Sequence, residues 1–105
     1  MDTTKTLLET QAQEIRAELA RLNELLRERG DYGYGTGDPA VYQWEFNLAL
    51  RERYEQRLAQ IERAMARLEK GQYGVCEECG ARIEPERLEA VPYTTLCITC
   101  ARKLV

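Results

Sequence analysis

The sequence predicts a mainly α protein: an antiparallel two-helix coiled-coil hairpin, then a small four-cysteine finger and a short C-terminal helix. Two long stretches free of internal glycine and proline carry apolar residues at helical spacing, on either side of a glycine-rich loop. Beyond them stand two Cys-x-x-Cys pairs. We place the hairpin at residues 1–72, its connecting loop at about 30–38, and the finger at residues 73–105.

Composition limits the function classes. A length of 105 residues allows one domain at most. Charged residues make up 31% and aromatic residues 8% of the chain, which indicates a small hydrophobic interior. A net charge of −3 argues against sequence-specific nucleic-acid binding, which normally uses a basic surface. No apolar run approaches the roughly 20 residues of a bilayer span, and MDTTKTLLETQ lacks a signal-peptide core. We therefore expect a cytoplasmic protein without a membrane partner.

The first helix is predicted from Thr3 to Arg29. Its apolar residues alternate between spacings of three and four, which is a heptad seam of about three repeats. Opposite charges stand three residues apart at Glu18–Arg21 and Glu24–Arg27. Gly30 ends the helix. The seam consists of Leu8, Ala12, Ile15, Leu19, Leu22 and Leu26.

The second helix is predicted to begin at Asp38-Pro39-Ala40, because aspartate suits the N-cap and proline the first helical position. Its stripe ends before Gly71 and is interrupted near Arg51. Two helices of similar length joined by a short loop are expected to pack antiparallel within one chain, with homodimerisation as the alternative. The stripe consists of Val41, Trp44, Leu48, Leu58, Ile61, Met65 and Leu68.

The cysteines are Cys76 and Cys79, then, after 17 residues, Cys97 and Cys100. This spacing is typical of a zinc ribbon or finger, in which each pair directs two thiolates at one tetrahedral ion. The chain has no histidine, so the ligand set is all sulfur. Such a site is closed to water and substrate, which predicts one structural Zn²⁺. Two disulfides or a redox pair are the alternatives, and the cytosol disfavours disulfides. We expect a small apolar cluster beside the metal, formed by Ile83, Leu88, Val91 and Leu96.

The finger resembles that of the DksA/TraR family of bacterial transcription regulators. The stretch YGVCEECGARIEPERLEAVPYTTLCITCA carries the family pattern, and EFNLALRER at 45–53 is similar to the family's segment after the helical tip. Besides the cysteines, the matching positions are Gly74, Gly80, Ile83, Arg87, Leu88, Glu89, Ala90 and Pro92.

The resemblance implies a regulator, not an enzyme, that binds RNA polymerase directly and inserts its coiled-coil tip into the secondary channel to modulate initiation. The family tip motif is Asp-x-x-Asp-x-Ala, which places Asp38 and Ala40 at the tip. Gly35 stands at the first aspartate, so Asp31 is the candidate substitute, with a simple turn role as its alternative. Arg51 matches a basic family residue associated with polymerase contact; the alternative is an arginine lying across the seam.

The family's ppGpp-binding positions are not matched. Basic residues are replaced by Gln60 or Glu62, by Val91 and by Ala101. We therefore do not expect strong synergy with ppGpp.

Two other functions stay open on the sequence alone. A transcript-cleavage factor would use two tip carboxylates to hold a second Mg²⁺, which requires a fixed separation that a glycine-rich loop does not provide. A zinc-stabilised interaction module would bind a partner other than polymerase.

Overall fold

The structure, a computed structural model, describes residues 2–29 and 39–103. These residues contain no β-strand; an isolated antiparallel bridge joins Val75 to Arg82. The predicted mainly α class is confirmed. The helices are α1 (Asp2–Arg29), α2 (Pro39–Glu69), α3 (Pro85–Ala90) and α4 (Ile98–Arg102).

The ends of the long helices follow the local sequence signals. Helix α1 ends directly before Gly30, and α2 begins at Pro39, as predicted. After α2, the N–H of Gln72 donates to the carbonyl of Arg67 (2.8 Å) and the N–H of Gly71 to that of Leu68 (3.1 Å). This is a Schellman motif, and it needs the positive φ of 73° that glycine adopts without strain. The predicted N-cap, Asp38, lies outside the described residues.

The chain forms two compact units, the 13–58 unit and the finger unit, which comprises residues 1–12 and 59–105. The finger unit joins the beginning of α1 to the end of α2, and the 13–58 unit joins the end of α1 to the beginning of α2. The two helices therefore run antiparallel, as the hairpin prediction requires. A domain boundary after Gln72 stays a prediction.

In the finger unit, the helices meet through small and medium-sized apolar side chains. Leu8, Ala12, Ile61 and Ala64 are each at most 1% exposed. Ala64 is absent from the predicted stripe, because a short side chain beside the longer Met65 carries a weak apolar signal. A small buried side chain such as Ala64 allows the backbones of the two helices to approach each other closely.

In the 13–58 unit, the seam is less enclosed. Leu22 and Leu26 of α1 are buried, whereas Val41, Trp44 and Leu48 of α2 are only partly buried. The apolar stripes predicted on the two helices are thus the inward faces, and the second one is the more open.

The outward faces are polar. The two predicted ion pairs are present, Glu18–Arg21 (2.8 Å) and Glu24–Arg27 (3.2 Å). They contribute little to the stability of the fold, because both pairs are exposed to solvent. None of the helices in the described part of the chain combines the length and apolar character that a bilayer crossing requires.

Adjacent leucines provide a matched test of the seam. We predict that Leu8→Ala lowers the free energy of unfolding by about 2–4 kcal/mol, because Leu8 is 0% exposed and its loss leaves a cavity. Leu7 is 43% exposed, so Leu7→Ala is expected to cost less than about 1 kcal/mol. Urea unfolding followed by circular dichroism measures both, and equal losses would contradict the assigned helix face.

Candidate metal centre

Four sulfur atoms converge in the finger. The Sγ atoms of Cys76, Cys79, Cys97 and Cys100 all lie within 4.8 Å of one another, and no pair is a disulfide. The Sγ atoms of Cys79 and Cys97 are 3.8 Å apart. Tetrahedral zinc with Zn–S bonds of about 2.3 Å separates its sulfurs by about 3.8 Å. The donor set and its spacing therefore fit one zinc ion.

The first cysteine pair is held by a tight backbone turn. The N–H of Cys76 donates to the carbonyl of Ala81 (2.8 Å), and the N–H of Gly80 returns a bond to the carbonyl of Cys76 (3.0 Å). The chain reverses at Gly80 with φ of 77°, a conformation that favours glycine. This turn points both thiols of the pair to the same side.

The second pair begins at Cys97, the N-cap of α4. The side chain of Glu84 accepts a hydrogen bond from the N–H of Ile98 (3.3 Å), and Arg87 Nε donates to the carbonyl of Leu96 (2.8 Å). Helix α3, which carries Arg87, was not predicted. Pro85 at its first position was the available signal, but a helix of 6 residues has little periodicity to detect.

An apolar cluster surrounds the sulfurs. Ile83 is buried with Cys76, Cys97 and Cys100, and Leu88 and Leu96 pack against them. These are three of the four residues predicted for this cluster. Val91 is partly exposed and lies outside it, because it is the C-cap of α3, with its N–H bonded to the carbonyl of Arg87.

The thiols differ in acidity. Backbone N–H groups, that of Cys79 first and that of Cys97 next, lower the pKa of Cys76 to about 6. The hydrogen bond with the Cys76 side chain is the main cause that raises the pKa of Cys100, to about 12. A divalent ion bound by the four sulfurs favours the thiolate form of every cysteine, so metal binding must displace the protons of the thiol groups. Zinc affinity therefore falls as the pH falls.

The first cysteine pair is also fastened to α2. Glu77, inside the pair, accepts hydrogen bonds from Arg63 Nε of α2 (3.1 Å) and from Thr95 Oγ1 (2.7 Å). One turn further along α2, Arg67 donates to the carbonyl of Val75 (2.9 Å). Sequence analysis missed these contacts, because a glutamate between two cysteines carries no signal of its own. We call Arg63, Glu77 and Thr95 the carboxylate latch.

The residues predicted for partner contact are described only in part. Asp31 and Asp38 lie outside the described residues, as does the side chain of Ala40, whose backbone is in the first turn of α2. Arg51 belongs to the 13–58 unit, where its Nη1 donates to Asn23 Oδ1 of α1 (3.2 Å). It therefore crosses the seam, and its contact with a partner stays a prediction.

Comparison with known proteins identifies the finger and the fold. The family described as prokaryotic dksA/traR C4-type zinc finger matches residues 71–105. The solved structure of transcription factor DksA2 from Pseudomonas aeruginosa is 32% identical, with a TM-score of 0.79 over 98% of this chain and 81% of that one. The chain belongs to the DksA/TraR family.

Two further proteins extend the similarity. RNA polymerase-binding transcription factor DksA from Salmonella typhimurium is 34% identical over 98 residues, or 91% of this chain. The chain spans only 65% of the length of that relative. The solved DnaK suppressor protein from Agrobacterium tumefaciens is 27% identical, with a TM-score of 0.67 over 97% of this chain and 91% of that one.

The zinc prediction is confirmed by two independent findings, the C4-type zinc-finger family and the four clustered cysteines. The zinc is structural.

The carboxylate latch can be tested with two adjacent glutamates. We predict that Glu77→Ala destabilises the folded finger by about 1–2 kcal/mol, chiefly through the lost bond to the partly buried Thr95 hydroxyl. The Arg63 contribution is small, because that side chain is 65% exposed. Since zinc binds the folded finger, zinc affinity falls roughly 5- to 30-fold in competition with a chelator. Glu78 is exposed, and Glu78→Ala is the control; equal losses in both variants would refute the latch.

Proposed function

We propose that this protein is a transcription factor that binds RNA polymerase directly and modulates initiation. One observation carries the proposal: likeness to DksA-type proteins extends over nearly the whole chain, 98% against the Pseudomonas structure and 91% against the Salmonella relative. The Salmonella relative is itself an RNA polymerase-binding transcription factor. A match to the finger alone would leave the function of the long helices open.

The finger supports this function without chemistry of its own. We assign Cys76, Cys79, Cys97 and Cys100 as the ligands of one zinc ion. Four thiolates fill a tetrahedral site, so no position is left for water or substrate. Four thiolates and one Zn²⁺ also make the chain two charges more negative, which disfavours contact with nucleic-acid phosphates. The protein then acts through its partner and is not an enzyme by itself.

The helical end that carries the connecting loop is the proposed contact with the polymerase active site. Asp38, with Asp31 as the candidate second carboxylate and Ala40 beside it, would enter the secondary channel and approach the catalytic Mg²⁺. A carboxylate near a bound cation changes the local field and the hydrogen bonds of the surrounding residues. This would alter the stability of promoter complexes.

Arg51 is the described residue that suits a supporting contact. Its bond to Asn23 uses one of five guanidinium N–H groups and fixes the side chain across the seam. The other N–H groups remain for an acceptor on the polymerase. Arg51 would thus stiffen the helix pair and contact the partner.

Asp38→Asn isolates the charge at the tip. Asparagine caps a helix as well as aspartate does, so α2 keeps its start. We predict that the variant binds polymerase with wild-type affinity but loses its effect on initiation. Competitive binding and in-vitro transcription with purified bacterial polymerase measure the two properties.

Two controls accompany this experiment. Asp31→Asn tests the second carboxylate, and replacement of residues 30–37 by a Gly-Ser segment removes the loop but keeps Asp38. Full regulatory activity of Asp38→Asn would exclude the proposed tip. Failure of the wild-type protein to retain the β and β′ subunits would instead favour an interaction module with another partner, and rapid transcript cleavage that depends on Asp38 would favour a cleavage factor.

A further inference from the structure

A polar hollow opens in the seam of the 13–58 unit. It has a volume of about 430 Å³, within the range of small-molecule sites. Arg27 and Arg51 bring guanidinium N–H donors to its lining, and Trp44, Leu26 and Leu48 supply apolar surface. None of the described residues that line it is acidic, and Asn23 adds a neutral amide. The wall therefore offers two positive charges and several donors to one small volume.

The indole N–H of Trp44 is a buried hydrogen-bond donor. Its Nε1 atom is buried, and it has no acceptor among the described residues. A buried N–H without a partner is unfavourable, and most such groups in folded proteins are satisfied. Trp44 as a whole is only partly buried, and it lines the hollow. A ligand that carries a hydrogen-bond acceptor would satisfy this N–H.

The two arginines are not fully used by the protein. Arg27 pairs with Glu24 at 3.2 Å, but the two side chains are 76% and 60% exposed, so the pair is weak. The hydrogen-bond partner of Arg51, Asn23, is neutral. A guanidinium binds a planar carboxylate or a phosphate through paired N–H groups. Both chemical classes therefore suit this wall.

The neighbouring surface limits the size of the ligand. A second hollow shares Leu48 and Arg51 with the first, and its remaining lining includes Glu45, Glu52 and Glu55. These carboxylates repel an anion that extends past Arg51. A polyphosphate or a nucleic-acid strand is therefore disfavoured, and a single compact anion is accommodated.

We propose that the hollow formed by Asn23, Leu26, Arg27, Trp44, Leu48 and Arg51 binds one compact oxyanion, a carboxylate or a phosphate. The anion lies between the two guanidinium groups, and one of its oxygens accepts from Trp44 Nε1 after the indole turns toward it. The site does not depend on polymerase binding, so it can be tested on the purified chain alone.

Trp44 is the chain's single tryptophan, so its indole N–H gives one resolved NMR signal that reports on the site. Acetate and inorganic phosphate are titrated separately at constant ionic strength, because salt screens charge interactions. We expect a saturable downfield shift of the indole N–H at millimolar concentrations of at least one of the two anions. The anion that saturates identifies the class of oxyanion.

Variants decide whether the shift reports a site. Arg51→Gln and Arg27→Gln are each expected to weaken binding of the anion roughly tenfold or more, because each variant loses a charged hydrogen-bond donor. Arg53→Gln removes the same charge from an exposed position of α2 outside the hollow and is expected to bind like the wild type. No saturable shift with either anion, or equal weakening in all three variants, would overturn the proposal. Retained helix content by circular dichroism confirms that each variant is folded.

Discussion

The convergence of four sulfur atoms within 4.8 Å is the constraint on which the finger depends. Among the described residues of the finger, Ile83 is the only buried hydrophobic residue that is not a cysteine. Such a core cannot offset the conformational entropy that folding removes from about 30 residues. The zinc–thiolate bonds supply what the core lacks, so metal binding and folding of the finger are one equilibrium. The short helices α3 and α4 position the thiols but are too brief to be stable on their own.

The carboxylate latch connects the zinc-dependent finger to the long helix α2. Glu77 stands between two cysteines, contacts Arg63 of α2 through one oxygen and contacts Thr95, near the second cysteine pair, through the other. Its own N–H donates to the carbonyl of Thr95 (2.9 Å), which links the chain segments of the two pairs a second time. Loss of zinc would therefore also weaken the hydrogen bonds that connect the finger to α2. A structural ion can in this way influence a helix that contributes none of its ligands.

The parts of the fold that sequence predicted are those with periodic or chemically unambiguous signals. The seam residues from Leu8 to Leu26, Pro39 at the start of α2 and the four cysteines all have such signals. Helix α3, the burial of Ala64 and the carboxylate latch do not, because each depends on tertiary contacts between residues whose types are common on any surface. The Trp44 N–H, which has no acceptor among the described residues, could not be predicted either, since the hydrophobic pattern identifies Trp44 only as an apolar seam position. The site residues in the connecting loop depend on the family resemblance.

X-ray absorption spectroscopy at the zinc edge, with metal analysis of the purified protein, tests the central claim most directly. The account predicts one zinc per chain with four sulfur neighbours at about 2.3 Å and no nitrogen or oxygen neighbour. A nitrogen or oxygen ligand, or a finger that stays folded without zinc through two disulfides, would contradict it.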